Sequence, residues 1–81
     1  MRPNNSVRDS VLKVIADQLD RGIHEIKDES AFEVLGADSL DQIEIVIALE
    51  EEFEIEISDA DADQADTVGK LIALVERMVG K

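Results

Sequence analysis

No cysteine, tryptophan or tyrosine occurs among the 81 residues, and phenylalanine, histidine and proline total two, one and one. Without thiols the chain has no disulfides, no thiolate metal sites and no redox chemistry of its own. With a single histidine it has little general acid–base capacity near neutral pH. No apolar run approaches membrane-spanning length, and the opening MRPNNS lacks the hydrophobic centre of a signal peptide. The expectation is a cytoplasmic protein without a membrane span. Basic residues are scarce as well. Twenty Asp and Glu face eight Lys and Arg, for a formal net charge of −12. From Lys27 to Lys70 there is no intervening base, while fifteen acids fall in that interval. Such a field repels nucleic acid and anionic membrane and steers basic protein partners.

What is present suffices for one small domain spanning 1–81. The apolar share is 44%, ordinary for a globular chain. Residues 1–5 are expected to form a flexible leader. Ser6 with Asp9 three places on has the spacing of a capping box, and Val7, Val11, Val14, Ile15 and Leu19 then recur at helical period. A first helix of about 6–19 is expected, stopped by Asp20-Arg21-Gly22. Residues 20–38 read as a long loop pinned by Ile23, Ile26, Phe32 and Leu35. A second helix is expected at about 39–53. The alternating EIEI at 54–57 has no partner strand in the sequence and reads as an extended connector. Ser58 caps a short helix of about 58–64, thin in apolar content. Thr67 caps the last, at about 67–79, with Val68, Leu71, Ile72, Val75 and Val79 on one face. The fold class is therefore all-α: a small antiparallel four-helix bundle, three helices long and one short, with a long loop between the first two.

The second helix carries two apolar faces. On a wheel turning roughly 100° per residue, Val46, Leu49 and Phe53, with Ile45 at the edge, make one stripe. Leu40, Ile43 and Ile47 make another that points well away from it, flanked by Glu44 and Glu51 on one side and Glu50 on the other. Burying both stripes would drag those acids inward at a high desolvation cost. The second stripe is expected to be an exposed docking strip for a partner with a hydrophobic dent ringed by Lys and Arg.

The strip begins beside Ser39. Asp38 stands where an N-cap belongs, with Asp41 three residues later, so the Ser39 hydroxyl lies at the mouth of the helix. A serine nucleophile needs a base and an oxyanion hole. His24 is the one imidazole, in the loop, and GADSL lacks the second glycine of a G-x-S-x-G elbow, so catalysis at Ser39 is not expected. Asp59, Asp61 and Asp63 match the first three ligand positions of a calcium loop, but Gln64 and Lys70 stand where glycine and glutamate are required. Modification remains. A helix N-terminus favours an attached phosphate, and a chain without thiols could acquire one from a cofactor bound there.

LGADSLDQIEIVIALEEEFEIEI resembles the signature of acyl carrier proteins of the bacterial type II fatty-acid-synthesis kind. The resemblance runs from about Val7 to Val79 and includes Phe32, the ALEEEF run at 48–53 and the Thr67-Val68 pair. It implies that Ser39 carries covalent 4′-phosphopantetheine from coenzyme A, with Asp38 as its motif neighbour and cap. It implies that Leu40, Asp41, Ile43, Glu44, Ile47, Glu50 and Glu51 lie on a recognition helix. The partners implied are holo-acyl-carrier-protein synthase, a phosphopantetheinyl transferase, and enzymes of fatty-acid or related acyl metabolism that dock through basic patches. The protein would act as a non-catalytic, monomeric carrier presenting thioesters. Three departures leave the carrier role intact while leaving open a specialised member with other partners: the Phe32–Gly36 segment (FEVLG) is one residue shorter than F-x-x-D-L-G and lacks its Asp, Ala65 replaces a larger aliphatic residue, and Ser58 replaces proline. Two alternatives stand beside this reading: a carrier of polyketide or aminoacyl intermediates, and a cofactor-free acidic interaction module.

Overall fold

Four α-helices follow one another in the computed structural model, which describes residues 5–80. They are α1 (Asn5–Leu19), α2 (Ser39–Phe53), α3 (Asp59–Gln64) and α4 (Val68–Val79), with a 3-10 turn at Ile23–Glu25. No β-strand occurs among the described residues; a lone antiparallel bridge pairs Ala31 with Thr67. Local chemistry sets most of the boundaries. Asp38, Ser58 and Thr67 are N-caps, each in extended backbone and accepting from the amide three residues on. At α1 the helix begins at Asn5, so Ser6 is already inside it and cannot take the non-helical backbone of a cap; residues 1–4 of the expected leader lie outside the described residues. The C-termini of α1 and α2 use no glycine. Asp20 and Glu54 adopt left-handed backbone, with φ of 57° and 55°, and the next amides, Arg21 and Ile55, fold back to the carbonyls of Ala16 and Glu50. The first helix thus stops two residues ahead of Gly22.

α1 packs against both α2 and α4, and α3 rests on α4. Val11 and Ile15 of α1, Ile45 and Leu49 of α2, and Val68 and Val75 of α4 are sealed at the centre. Leu12, Ala16 and Leu74 join them, which widens the buried faces of α1 and α4 beyond the expected stripes. Val79, expected on that face, is exposed in the last turn of α4, where little chain remains to cover it. No charged or polar residue is buried among those described.

The loop of 20–38 is anchored rather than free. Ile26, Phe32, Leu35 and Ala37 are buried, whereas Ile23 opens the 3-10 turn and faces solvent, against expectation. Backbone bonds tie the loop to the start of α4. The Gly69 amide donates to the Asp28 carbonyl at 2.7 Å, Val68 to Ser30 at 3.0 Å, and Phe32 returns a bond to Asp66 at 3.1 Å. Lys70 N–H donates to Thr67 Oγ1 at 3.3 Å. The first amides of a helix have no intrahelical acceptor, so the loop supplies what α4 needs. A Cβ at Gly69 would stand 3.0 Å from the Asp28 carbonyl oxygen, so a side chain there would press on the loop. Outside this seam Arg8 grips the Asp28 carboxylate with both guanidinium nitrogens. That hydrogen bond holds the Asp28 carboxyl below its ordinary value and raises the Arg8 guanidinium, two views of one exposed pair.

Candidate functional site

Ser39 is the first residue of α2, and its side chain is exposed. The preceding turn aims it. Leu35 and Ala37 are buried, and between them Gly36 takes a φ of 86°, a conformation side chains rarely adopt. Arg21 Nε donates to the Leu35 carbonyl at 3.2 Å, tying this turn to the end of α1. Asp38 and Asp41 complete a capping box: Asp41 N–H donates to Asp38 Oδ1 at 2.9 Å, and Asp38 N–H donates to Asp41 Oδ2 at 3.3 Å. Among the described residues nothing accepts from the amides of Ser39 and Leu40. An exposed hydroxyl therefore stands at the positive end of a 15-residue helix beside two unused donors.

Two surfaces leave this point. One is the outer strip of α2, where Leu40, Ile43 and Ile47 are 62%, 54% and 47% exposed. Glu44 and Glu51 beside it are exposed, and Asp41 is half-buried. The other is a cleft of about 650 Å³ between α2 and the short α3, lined on its apolar side by Ile43, Ile47, Ala62, Ala65 and Leu71, with Ser39 at its edge. Small residues at 62 and 65 leave that space open. Glu50 also lines the cleft, half-buried, and its Oε2 accepts from the Ile57 amide at 2.8 Å. Its carboxylate thus holds the connector after α2, a role invisible on a helical wheel.

His24 lies in the 3-10 turn, exposed, with Glu25 as its nearest acid at 4.0 Å, and it makes no hydrogen bond to Ser39. Asp59, Asp61 and Asp63 are spread around α3, and no group of three or more potential metal ligands is gathered among the described residues. A contact absent from the sequence patterns lies across from Ser39: Gln18 of α1 donates to both Asp41 and Glu44. Only its place in the folded molecule reveals it.

The sequence matches a family model described as phosphopantetheine attachment site over residues 9–75. It is 46% identical over 72 residues to an acyl carrier protein of Wolinella succinogenes, covering 88% of this chain and 95% of that one. The fold is similar to that of the acyl carrier protein from Enterococcus faecalis, with a TM-score of 0.79 and 32% identity, covering 95% of this chain and 99% of the other. No helix among the described residues is long and apolar enough to cross a membrane.

Proposed function

The chain belongs to the acyl carrier protein family, whose members carry phosphopantetheine and do not catalyse, and from that premise we propose that Ser39 is its attachment point and α2 its docking face. In this reading it carries acyl intermediates as thioesters and presents them, in the cytoplasm, to enzymes of fatty-acid or related lipid synthesis. The observation that carries the reading is one juxtaposition: an exposed serine at a capped helix mouth, adjoining both an apolar strip edged by acids and an apolar cleft. When bound, the arm supplies the terminal thiol that a chain without cysteine lacks. In the transfer, Ser39 Oγ loses its proton and bonds to the phosphorus bearing the pantetheine, as the pyrophosphate linkage of coenzyme A breaks and releases the nucleotide.

The residues fit that group. The helix end favours the new phosphodiester, and the Ser39 and Leu40 amides are unengaged donors for its oxygens. Leu40, Ile43 and Ile47 offer a partner apolar contact, while Glu44 and Glu51 face its cations. The Ile43–Ile47 wall and the alanines of 62 and 65 give a hydrocarbon cargo a place away from water. Nothing in the cleft favours a polyketide or aminoacyl cargo over a fatty one.

The test is intact mass before and after incubation with coenzyme A and a phosphopantetheinyl transferase, followed by peptide mapping. One phosphopantetheine on Ser39, and none on a folded Ser39→Ala variant, is the expected result. Loading of Ser39→Ala would place the arm elsewhere. Identifying the thioester on protein isolated from its native cell then decides the cargo.

A further inference from the structure

Gln18 sits near the end of α1, half-buried, facing the first turns of α2. Its Nε2 donates to Asp41 Oδ1 at 3.3 Å and also to Glu44 Oε1. Asp41 and Glu44 are three residues apart on one helical face, where like charges repel and turn away from each other. A primary amide carries two N–H donors, one for each carboxylate. The second oxygen of Asp41 accepts from the Asp38 amide, so the connection from α1 reaches the residue before Ser39. The ion pairs among the described residues lie elsewhere: Arg8 with Asp28, Arg21 and His24 with Glu25, and Lys70 with Asp66. The two carboxylates are thus held by a neutral donor and join none of these ion pairs.

We propose that Gln18 is a positioning residue for partner docking: its amide fixes Asp41 and Glu44 beside Ser39 without neutralising them. The inference rests on the reading above, in which Ser39 takes the arm and α2 meets the transferase. A lysine at this place would reach the same oxygens and bind them more strongly, because a charged donor makes the stronger bond. It would also cancel one unit of the field that draws in a basic partner. Arg21, just past the end of α1, bonds the Leu35 carbonyl in the turn before Ser39 and is itself answered by Glu25. The end of α1 and the residue just past it therefore both brace the segment around Ser39, with a neutral group against Asp41 and Glu44.

The experiment compares wild type, Gln18→Lys and Gln18→Leu as unmodified proteins. Steady-state phosphopantetheine transfer from coenzyme A is followed at low and high salt, with thermal unfolding alongside. For Gln18→Lys the KM for the carrier should rise roughly tenfold at low salt, the lower end of charge-steering effects, with kcat unchanged. Its Tm should not fall, and its KM should depend less on salt than that of wild type. Gln18→Leu should raise KM by a smaller factor and keep the wild-type salt dependence, since position is lost but charge is not. A wild-type KM for Gln18→Lys at low salt overturns the proposal, as does a loss of kcat that tracks a lowered Tm. If wild type itself gains no mass at Ser39, the attachment reading fails and takes this one with it. Normal loading of wild type with an unshifted Gln18→Lys KM removes only the role of Gln18.

Discussion

A carboxylate on this molecule does one of several jobs, and its neighbours decide which. Asp38 has a structural one, closing the first turn of α2 through the Asp41 amide. Replacing an N-cap acid by alanine costs about 1 kcal/mol. Asp38→Ala should lower the Tm by about 4–8 °C in a domain of this size, read by circular dichroism. Its loading at Ser39 should fall only as far as the helix mouth frays. This cap was legible in the sequence because a capping box is written within four residues; Ser58 and Thr67 are simple N-caps, equally local, each bonded to the amide three residues on. The work of Glu50 and Gln18 was not. Their partners, Ile57 and the Asp41–Glu44 pair, are brought to them by the tertiary fold, and a side chain that reaches across elements leaves no spacing to read. The left-handed backbone at Asp20 and Glu54 was hidden for another reason: the usual marker is glycine, and here ordinary side chains take that backbone.

At the scale of the element, α2 is a helix with two apolar faces and one core. The wheel separated them correctly, because the acids that flank Leu40, Ile43 and Ile47 forbid burying that side. The difference is measurable as a pair of substitutions. Ile47→Asp changes an exposed position and should leave Tm within a few degrees while raising the KM of the transferase. Leu49→Ala empties a fully buried site and should cost about 2–5 kcal/mol, a large part of the stability available to so small a domain. Equal effects of the two on unfolding would mean that the strip is packed. Helix faces at the ends of the bundle were harder to read. Val79, on the apolar face of α4, and Ile23, expected as a loop anchor, both stand in solvent, since an apolar pattern records which residues can be buried and not whether anything arrives to cover them.

Taken whole, the molecule keeps its bases and most of its acids apart. Every Lys and Arg lies at or before Lys27 or at or after Lys70, so α2 and α3 carry anions alone. The face beside Ser39 is therefore negative over a wide area, and a basic partner is guided there before any contact forms. The parts that hold this face steady are distant in sequence, and the seam between the loop and α4 shows how closely they depend on one another. The opening amides of a helix are normally the first to trade their hydrogens with water, having no acceptor inside the helix. Here the amides of Val68 and Gly69 are bonded to loop carbonyls, and Phe32 is bonded in return. In heavy water these three should exchange slowly and at a common rate, a single opening unit built from segments some forty residues apart. Fraying of α4 and release of the loop that presents Ser39 are then one event.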